Sequence, residues 1–314
     1  MSDPVPLIID TDPGVDDAVA ILLALASPEV ELRAVTAVFG NVPLATTTAN
    51  AARLLALAGR PDVPHAAGAA RPLVHPQRER AEAWHGDDGL GGRANDLPAP
   101  GPAPDPRGAV ALMADVLRAA SAPVTVAAIA PLTNVALLLA VHPELAGRIG
   151  RLVVMGGSLG GGNTTGAAEF NVFSDPEAAH RVLTQADVPV TLVPLDLTLR
   201  CLTDRAWLTE LAGGGPRCAT LAGVVTHYRE AFRTRYGVDA VALHDAVALL
   251  EAIRPGSLRT TPLAVRVECG LGPARGATVA DRTPGVDGPP VHVALDADVE
   301  AVLGEILRRL HTLG

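Results

Sequence analysis

Four aspartates stand within eight residues near the start of the chain, in the run Asp10-Thr11-Asp12-Pro13-Gly14-Val15-Asp16-Asp17. Like charges held that close must take up protons or share a cation. Hard carboxylate oxygens at flexible spacing suit Ca²⁺ or Mg²⁺, and the His and Cys ligands that zinc favours are missing from this stretch. Asp16 and Asp17 open a helical pattern, where the positive end of the helix dipole favours anions. Helix capping explains one or two of the acids, but not four packed around a Pro-Gly turn. The cluster predicts a metal site.

The elements that must position these acids can be read from hydrophobic spacing. An apolar run, Val5 to Ile9, precedes them, and the spacing Ala18, Val19, Ile21, Leu22, Leu25 is helical until Ser27-Pro28. Leu32 to Phe39 is strand-like and leads into a helix from Leu44 to Ala58. Val124 to Ile129 leads into Pro131 to Ala140 in the same way. Arg151 to Met155 runs into a Gly-rich loop, and Val188 to Leu195 into a further helical stretch. Strands alternating with helices predict βαβ units and a mainly parallel sheet. In such sheets ligands bind beyond the carboxyl ends of the strands. Asp10 and Asp12, Asn41, Thr133-Asn134, and Asn163 to Asn171 each follow a strand-like run, so they are expected to meet on one rim.

Residues 71–95 are polar and Gly-rich, which suits an active-site loop, and residues 97–106 alternate Pro with small residues as an extended surface connector. Residues 259–293 carry β-like runs between Gly and Pro, ahead of a closing helix from Asp298. No repeat or domain boundary interrupts the 314 residues. The expectation is one α/β domain over 1–314, with a mainly parallel central sheet flanked by helices in an open Rossmann-like architecture.

Composition narrows the partners. Hydrophobic residues make up 48% of the chain and aromatics only 3%, so the core must be Ala, Val and Leu, as in a sheet covered on both faces. The formal charge is −9, lysine is absent, and the arginines are scattered, with Arg71, Arg78 and Arg80 the nearest to a cluster. Nucleic acid is therefore not an expected partner. Three widely spaced cysteines, Cys201, Cys218 and Cys269, fit reduced thiols. With no leader-like start and no apolar run of membrane-spanning length, a cytoplasmic protein without a membrane partner is expected.

The acidic run, with Ala18 after it, resembles the signature of the inosine-uridine-preferring nucleoside hydrolases. The resemblance continues in order along nearly the whole chain. It takes in Phe39-Gly40-Asn41, His85-Gly86-Asp87-Asp88-Gly89-Leu90-Gly91 and Pro131-Leu132-Thr133-Asn134. Met155-Gly156-Gly157, Asn163, Glu169-Phe170-Asn171, Asp175 to Ala179 and His244-Asp245-Ala246 complete it. Each motif is weak alone; the ordered set is specific.

The resemblance implies calcium-dependent hydrolysis of ribonucleosides to base and ribose, as in nucleoside catabolism and base salvage. It implies that Asp12, Asp17, Asp245 and the backbone carbonyl of Ile129 ligate Ca²⁺, with Asp10 supporting the geometry from behind. Asp16 and Asn171 would hold the ribose 2′- and 3′-hydroxyls, Asn163 and Glu169 the 5′-hydroxyl, and Asn41 and Met155 would line the sugar pocket. Asp12 would activate a metal-bound water for attack on an oxocarbenium-like centre. His244 would assist the departing base, and His85 would contact that base. A homodimer or homotetramer is implied for the assembly. Tyr228, Phe232 and Tyr236 form one helical stripe, whose default meaning is core packing. The family's helix at this point borders the base, which makes Tyr228 a base contact.

Two other functions fit parts of the pattern. Asp10-Thr11-Asp12 after a strand is similar to the aspartyl nucleophile of haloacid-dehalogenase-type phosphatases, but the lysine that completes that site is absent. A calcium-stabilised nucleoside-binding protein without catalysis would need the same acids, but not both Asp12 and His244.

Overall fold

Runs rich in Val, Ile and Ala alternate with Leu- and Ala-rich helices, and the chain lays nine of its strands side by side in one sheet. The computed structural model describes residues 3–185, 187–281 and 290–314. The strands in chain order are β1 (Val5–Thr11), β2 (Val30–Ala37), β3 (His65–Ala67), β4 (Val124–Ala128), β5 (Ile149–Met155) and β6 (Val190–Val193). They continue with β7 (Leu202–Asp204), β8 (Ala240–Ala242), β9 (Arg259–Val267), β10 (Thr278–Asp281) and β11 (Pro290–Asp296). The large sheet runs β10-β9-β11-β6-β5-β4-β1-β2-β3, and β7 pairs with β8 in a separate antiparallel ribbon.

From β11 to β3 every neighbour is parallel; near the other edge β9 runs against the sheet, antiparallel to both β11 and β10. The order β3-β2-β1-β4-β5-β6 is that of a doubly wound α/β sheet, whose connections reverse direction between β1 and β4. The expected α/β class and mainly parallel sheet are what the chain adopts.

The two faces of β1 feed two cores, because successive strand residues point to opposite sides. Leu7 and Ile9 pack with the helices Val15–Leu25 and His244–Ile253. Ile8 packs with Ala34, Met113 and Leu117 on the other face. Leu7, Ile8 and Ile9 are fully buried, which is why this strand reads as a continuous apolar run.

Several boundaries differ from the sequence expectation. β1 continues through Asp10 and Thr11, because their carbonyls still accept the neighbouring amides of Ile129 and Val38 at 2.9 and 3.0 Å. The helix expected from Pro131 starts at Thr133. Residues 71–95 hold a helical turn, Glu82–His85, and Ala94–Asp96 forms a 3₁₀ turn at their far end. Of the stretch 259–293, residues 282–289 lie outside the described residues. Among the described residues no helix is long and apolar enough to cross a membrane.

The closing helix, Val299–Leu310, starts on an Asp298 cap that accepts Ala301 N–H at 3.1 Å. It is fastened to the first layer by Arg309, whose side chain is 4% exposed. Its guanidinium donates to both oxygens of Glu29 at 2.8 and 2.6 Å and to Glu305 at 2.7 Å. Hydrogen bonds from Arg308 and then Arg309 hold the Glu305 carboxyl down at about 2, against the opposing effect of burial. A lowered carboxyl stabilises the fold above its unfolded value, and that stability drains away as pH falls through the folded one. Glu305→Gln should cost about 1.5 kcal/mol at neutral pH. In urea unfolding the gap to the parent should close as pH drops from 4.5 toward 2. A gap unchanged between pH 6 and pH 3 would remove this ion pair from the account.

Candidate active site

The reversal between β1 and β4 leaves a crevice beyond their carboxyl ends, and the loops after β1, β2, β4 and β5 converge there. The resulting cleft holds about 640 Å³ of space, the open solvent at its mouth included. One wall is acidic, formed by Asp12, Asp16 and Asp245. Asn41, Ile129, Met155 and Asn171 lie along the cleft, Asn163 and Glu169 enter from the Gly-rich loop and its far end, and His85, Tyr228 and His244 complete it. All twelve of these residues carry a role in the sequence expectation. The remaining two, Asp10 and Asp17, sit behind the lining.

The acidic wall is built on the tight turn after β1. Asp17 accepts from Thr11 Oγ1, from Gly14 N–H at 2.9 Å and from Asn41 Nδ2 at 3.2 Å. Asp12 Oδ2 accepts Asn41 N–H at 2.7 Å. Asp245, in the first turn of the helix His244–Ile253, closes the group: Asp16, Asp17 and Asp245 bring carboxylate oxygens within 4.8 Å of one another. The sequence expectation named Asp12 in place of Asp16 among the metal ligands; Asp12 stands against the same group and adds to its field.

Among the described residues no arginine pairs with these acids. Burial, then repulsion from Asp17, pushes Asp16 up to about 8. Burial also raises Asp12 and Asp245 well above the carboxylate range, with neighbouring aspartates adding to it. Three buried carboxylates that repel one another, with no cationic side chain among them in the described residues, form an all-oxygen donor set that fits a hard divalent cation. The Ile129 carbonyl sits beside them and accepts Asn171 Nδ2 at 3.4 Å.

Asp10 is fully buried and points to the opposite face of β1, where Oδ1 accepts from Thr36 Oγ1 at 2.6 Å and Asn134 Nδ2 at 2.8 Å. Burial raises it to about 7. It braces the strand end and is closed to the cleft, which removes the nucleophile that a haloacid-dehalogenase-type phosphatase would need.

Another part of the lining is aromatic. Five of the eight Trp, Tyr and Phe residues line the cleft: Trp84, Phe170, Tyr228, Phe232 and Tyr236. Trp84 stacks on Tyr236 with centroids 5.7 Å apart, and His85 lies 5.0 Å from the Tyr228 ring. The Tyr228, Phe232, Tyr236 stripe is both core and lining: Tyr228 and Phe232 are buried in the core as expected, and all three border the cleft, with Tyr236 46% exposed at its rim. Trp84, Phe170, Thr164 and Leu199 are lining residues that the sequence expectation missed. The available signal was scarcity: in a chain with so few aromatics, a Trp directly before a motif His stands out.

Both cleft histidines are neutral, because burial lowers His85 to about 3 and His244 to about 4. Val15 N–H donates to His85 Nδ1 at 3.0 Å, which places the His85 proton on Nε2. Glu169 caps the helix Phe170–Ser174 and accepts backbone N–H groups from Asn171 at 2.8 Å, Val172 at 3.0 Å and Gly157 at 2.9 Å. Burial still lifts it to about 6. Asp88 accepts three amides of its own loop, those of Leu90, Gly92 and Ala94, and Asn50 ties that loop to the Pro13 carbonyl.

Packing around Asp12 leaves no room at Gly40, where a Cβ would lie 1.9 Å from Asp12 Oδ2. Gly40→Ala should cost about 1–3 kcal/mol of stability by overpacking. Gly147→Ala, with nothing within 4 Å, should cost far less. Equal unfolding midpoints for the two variants would show that Asp12 is free to move aside.

Comparison with known proteins places this geometry. The model of the inosine-uridine preferring nucleoside hydrolase family matches residues 7–304. The pyrimidine-specific ribonucleoside hydrolase RihA of Klebsiella pneumoniae is 41% identical over 309 residues, covering 97% of this chain and 98% of the relative. Its counterpart in Salmonella agona is 42% identical over 278 residues, 88% of each chain. Among solved structures, a plant nucleoside hydrolase superposes with a TM-score of 0.91 at 33% identity, covering 98% of this chain and 99% of that one. A purine-preferring ribonucleoside hydrolase from Gardnerella vaginalis gives 0.91 at 31% identity, with 98% of both chains covered. The chain thus belongs to the inosine-uridine preferring nucleoside hydrolase family and is a ribonucleoside hydrolase acting on N-glycosyl bonds.

Proposed function

We propose that the chain cleaves ribonucleosides in a Ca²⁺-dependent reaction, that Asp12 is the base acting on the attacking water and His244 the donor to the leaving base, and that pyrimidine ribonucleosides are the preferred substrates. The observation that carries this reading is that one cleft joins a cluster of buried carboxylates to aromatic side chains and two buried histidines. The ribose belongs to the carboxylates and the nucleobase to the aromatic side chains.

Asp12, Asp17, Asp245 and the Ile129 carbonyl would hold the cation, with Asp16 close enough to share it. When bound, the cation neutralises these acids and acidifies the attacking water. Asp12, buried and anchored by Asn41, accepts the proton that the water gives up. Asp16 and Asn171 hold the 2′- and 3′-hydroxyls. Asn163 and Glu169 hold the 5′-hydroxyl, and Asn41 and Met155 confine the ring. Fixing the hydroxyls converts remote binding energy into alignment of C1′ with the water. The carboxylates also favour the positive charge that develops on the sugar. His85, with its proton on Nε2, donates to the base, Tyr228 packs against it, and His244 assists its departure.

The pyrimidine preference is supported by the relatives of higher identity, which are named pyrimidine-specific. Free thiols at Cys201, Cys218 and Cys269 suit a reducing cytoplasm, where we expect a homodimer or homotetramer.

Ribose release from uridine, cytidine, inosine and adenosine tests the whole reading. Uridine and cytidine should give the highest kcat/KM, a chelator should abolish turnover, and Ca²⁺ should restore it. Asp12→Asn should lose about 10²- to 10⁴-fold in kcat while keeping its unfolding midpoint. Full activity in that variant, or turnover that survives exhaustive chelation, would discard the mechanism. A purine lead would discard the preference alone.

A further inference from the structure

We propose that Thr198 is a positioning residue for the reaction: its hydroxyl donates to His244 Nδ1 and fixes the ring with Nε2–H toward the leaving base. The inference rests on the reading of His244 as the group that assists departure.

Thr198 ends the four-residue helix Leu195–Thr198 that follows β6, and it is fully buried. Its Oγ1 lies 2.7 Å from His244 Nδ1. Helical threonines usually turn the hydroxyl back to the carbonyl four residues earlier, and this chain follows that habit elsewhere. Thr209 bonds Arg205 O, Thr220 bonds Pro216 O, Thr226 bonds Ala222 O and Thr234 bonds Glu230 O, all at 2.8–3.0 Å. Thr198 instead spends its hydroxyl on the imidazole, in a place where water cannot substitute.

The consequence is a ring with one nitrogen committed to the protein and the other open to the cleft. The two nitrogens of a neutral imidazole are one donor and one acceptor, so a hydroxyl that donates to Nδ1 leaves the proton on Nε2. The amide of Val15 imposes the same arrangement on His85. Both cleft histidines then present N–H to the base. A protein partner that sets tautomer and ring direction is the usual accompaniment of a functional histidine.

The other side of the short helix supplies a control. Asp196 Oδ2 accepts Leu159 N–H at 2.8 Å and Ser158 Oγ at 3.3 Å, so it steadies the Gly-rich loop that carries Asn163. A substitution there disturbs the same helix without touching the histidine.

The test compares uridine with 4-nitrophenyl riboside, whose leaving group needs no protonation. Thr198→Val should lose about 10- to 100-fold in kcat on uridine, change little on the nitrophenyl substrate, and be rescued by Thr198→Ser. Asp196→Ala should raise KM for both substrates alike. His244→Ala runs alongside: if it is selective and Thr198→Val is not, the positioning role falls and the reading of His244 stands. If His244→Ala loses both substrates equally, that reading falls and takes the proposal with it. ¹⁵N NMR of histidine-labelled, Ca²⁺-loaded parent protein gives a readout independent of turnover and of variant folding. His244 should show a protonated Nε2 and a bare Nδ1, and the reverse pattern overturns the proposal.

Discussion

The cleft depends on carboxylates buried together at the point where the sheet reverses direction. At separations up to 4.8 Å, each charged pair among Asp16, Asp17 and Asp245 repels by about 3 kcal/mol at an effective dielectric of 20. Three such pairs approach the entire stability of an ordinary domain, about 5–15 kcal/mol. The fold cannot carry the three as bare anions, so their charge must be met by protons or by a cation. Catalysis at neutral pH favours the second, since protonated acids would neither order a water nor favour a cationic sugar.

The turn after β1 couples that cluster to the rest of the site. Gly14 N–H serves Asp17, the next amide serves His85, and Asn41 from the loop after β2 serves both Asp12 and Asp17. A Cβ at Gly14 would stand 2.5 Å from His85 Nδ1 and 2.7 Å from Asn41 Nδ2, so only glycine lets the three segments close. Burial acts on both walls in opposite senses. It lifts the acids toward protonation and drives the histidines toward neutrality, and only the acids can have that cost removed by a metal. The imidazoles stay neutral, as the proposed role of N–H donors to a base requires.

Much of this was legible in the sequence because strand ends carry both the apolar periodicity and the polar residues that break it. Asp12, Asn41, Ile129 and Met155 each stand at or just beyond a strand end, where topology forces them together. Which way Asp10 points was not legible: Asp12 has the same parity, and it enters the acidic wall only because β1 ends at Thr11 and the chain turns beyond it. Periodicity could not find Trp84 and Phe170, because their side of the cleft comes from a single helical turn and a loop end, and only the scarcity of aromatics pointed to them. Phe232 and Tyr236 lay on a stripe that periodicity identifies equally well with core. That stripe lies outside the sheet, so alternation along strands says nothing about where it faces. Thr198 gave no signal at all, since a threonine at the end of a short helix looks like any other until its hydroxyl is seen to abandon the backbone.

The two walls also differ in how freely they can change. The acidic wall is made from strand ends, from the loop after β2 and from the first turn of a helix packed on the sheet, so any shift in it disturbs the core. The aromatic wall is made from the helical turn Glu82–His85 and the exposed end of the helix Pro216–Tyr236, which rest on each other through ring contacts. Trp84 and Tyr236, at the rim, can be exchanged at the expense of a few stacking interactions, each worth about 0.5–1.5 kcal/mol beyond area burial, whereas Tyr228 and Phe232 are also buried in the core. A superposition with a TM-score of 0.91 on a purine-preferring enzyme and 41% identity to a pyrimidine-specific one are therefore compatible. The backbone is shared with the purine-preferring enzyme, and in the reading proposed above the base meets the side of the cleft that the sheet does not build.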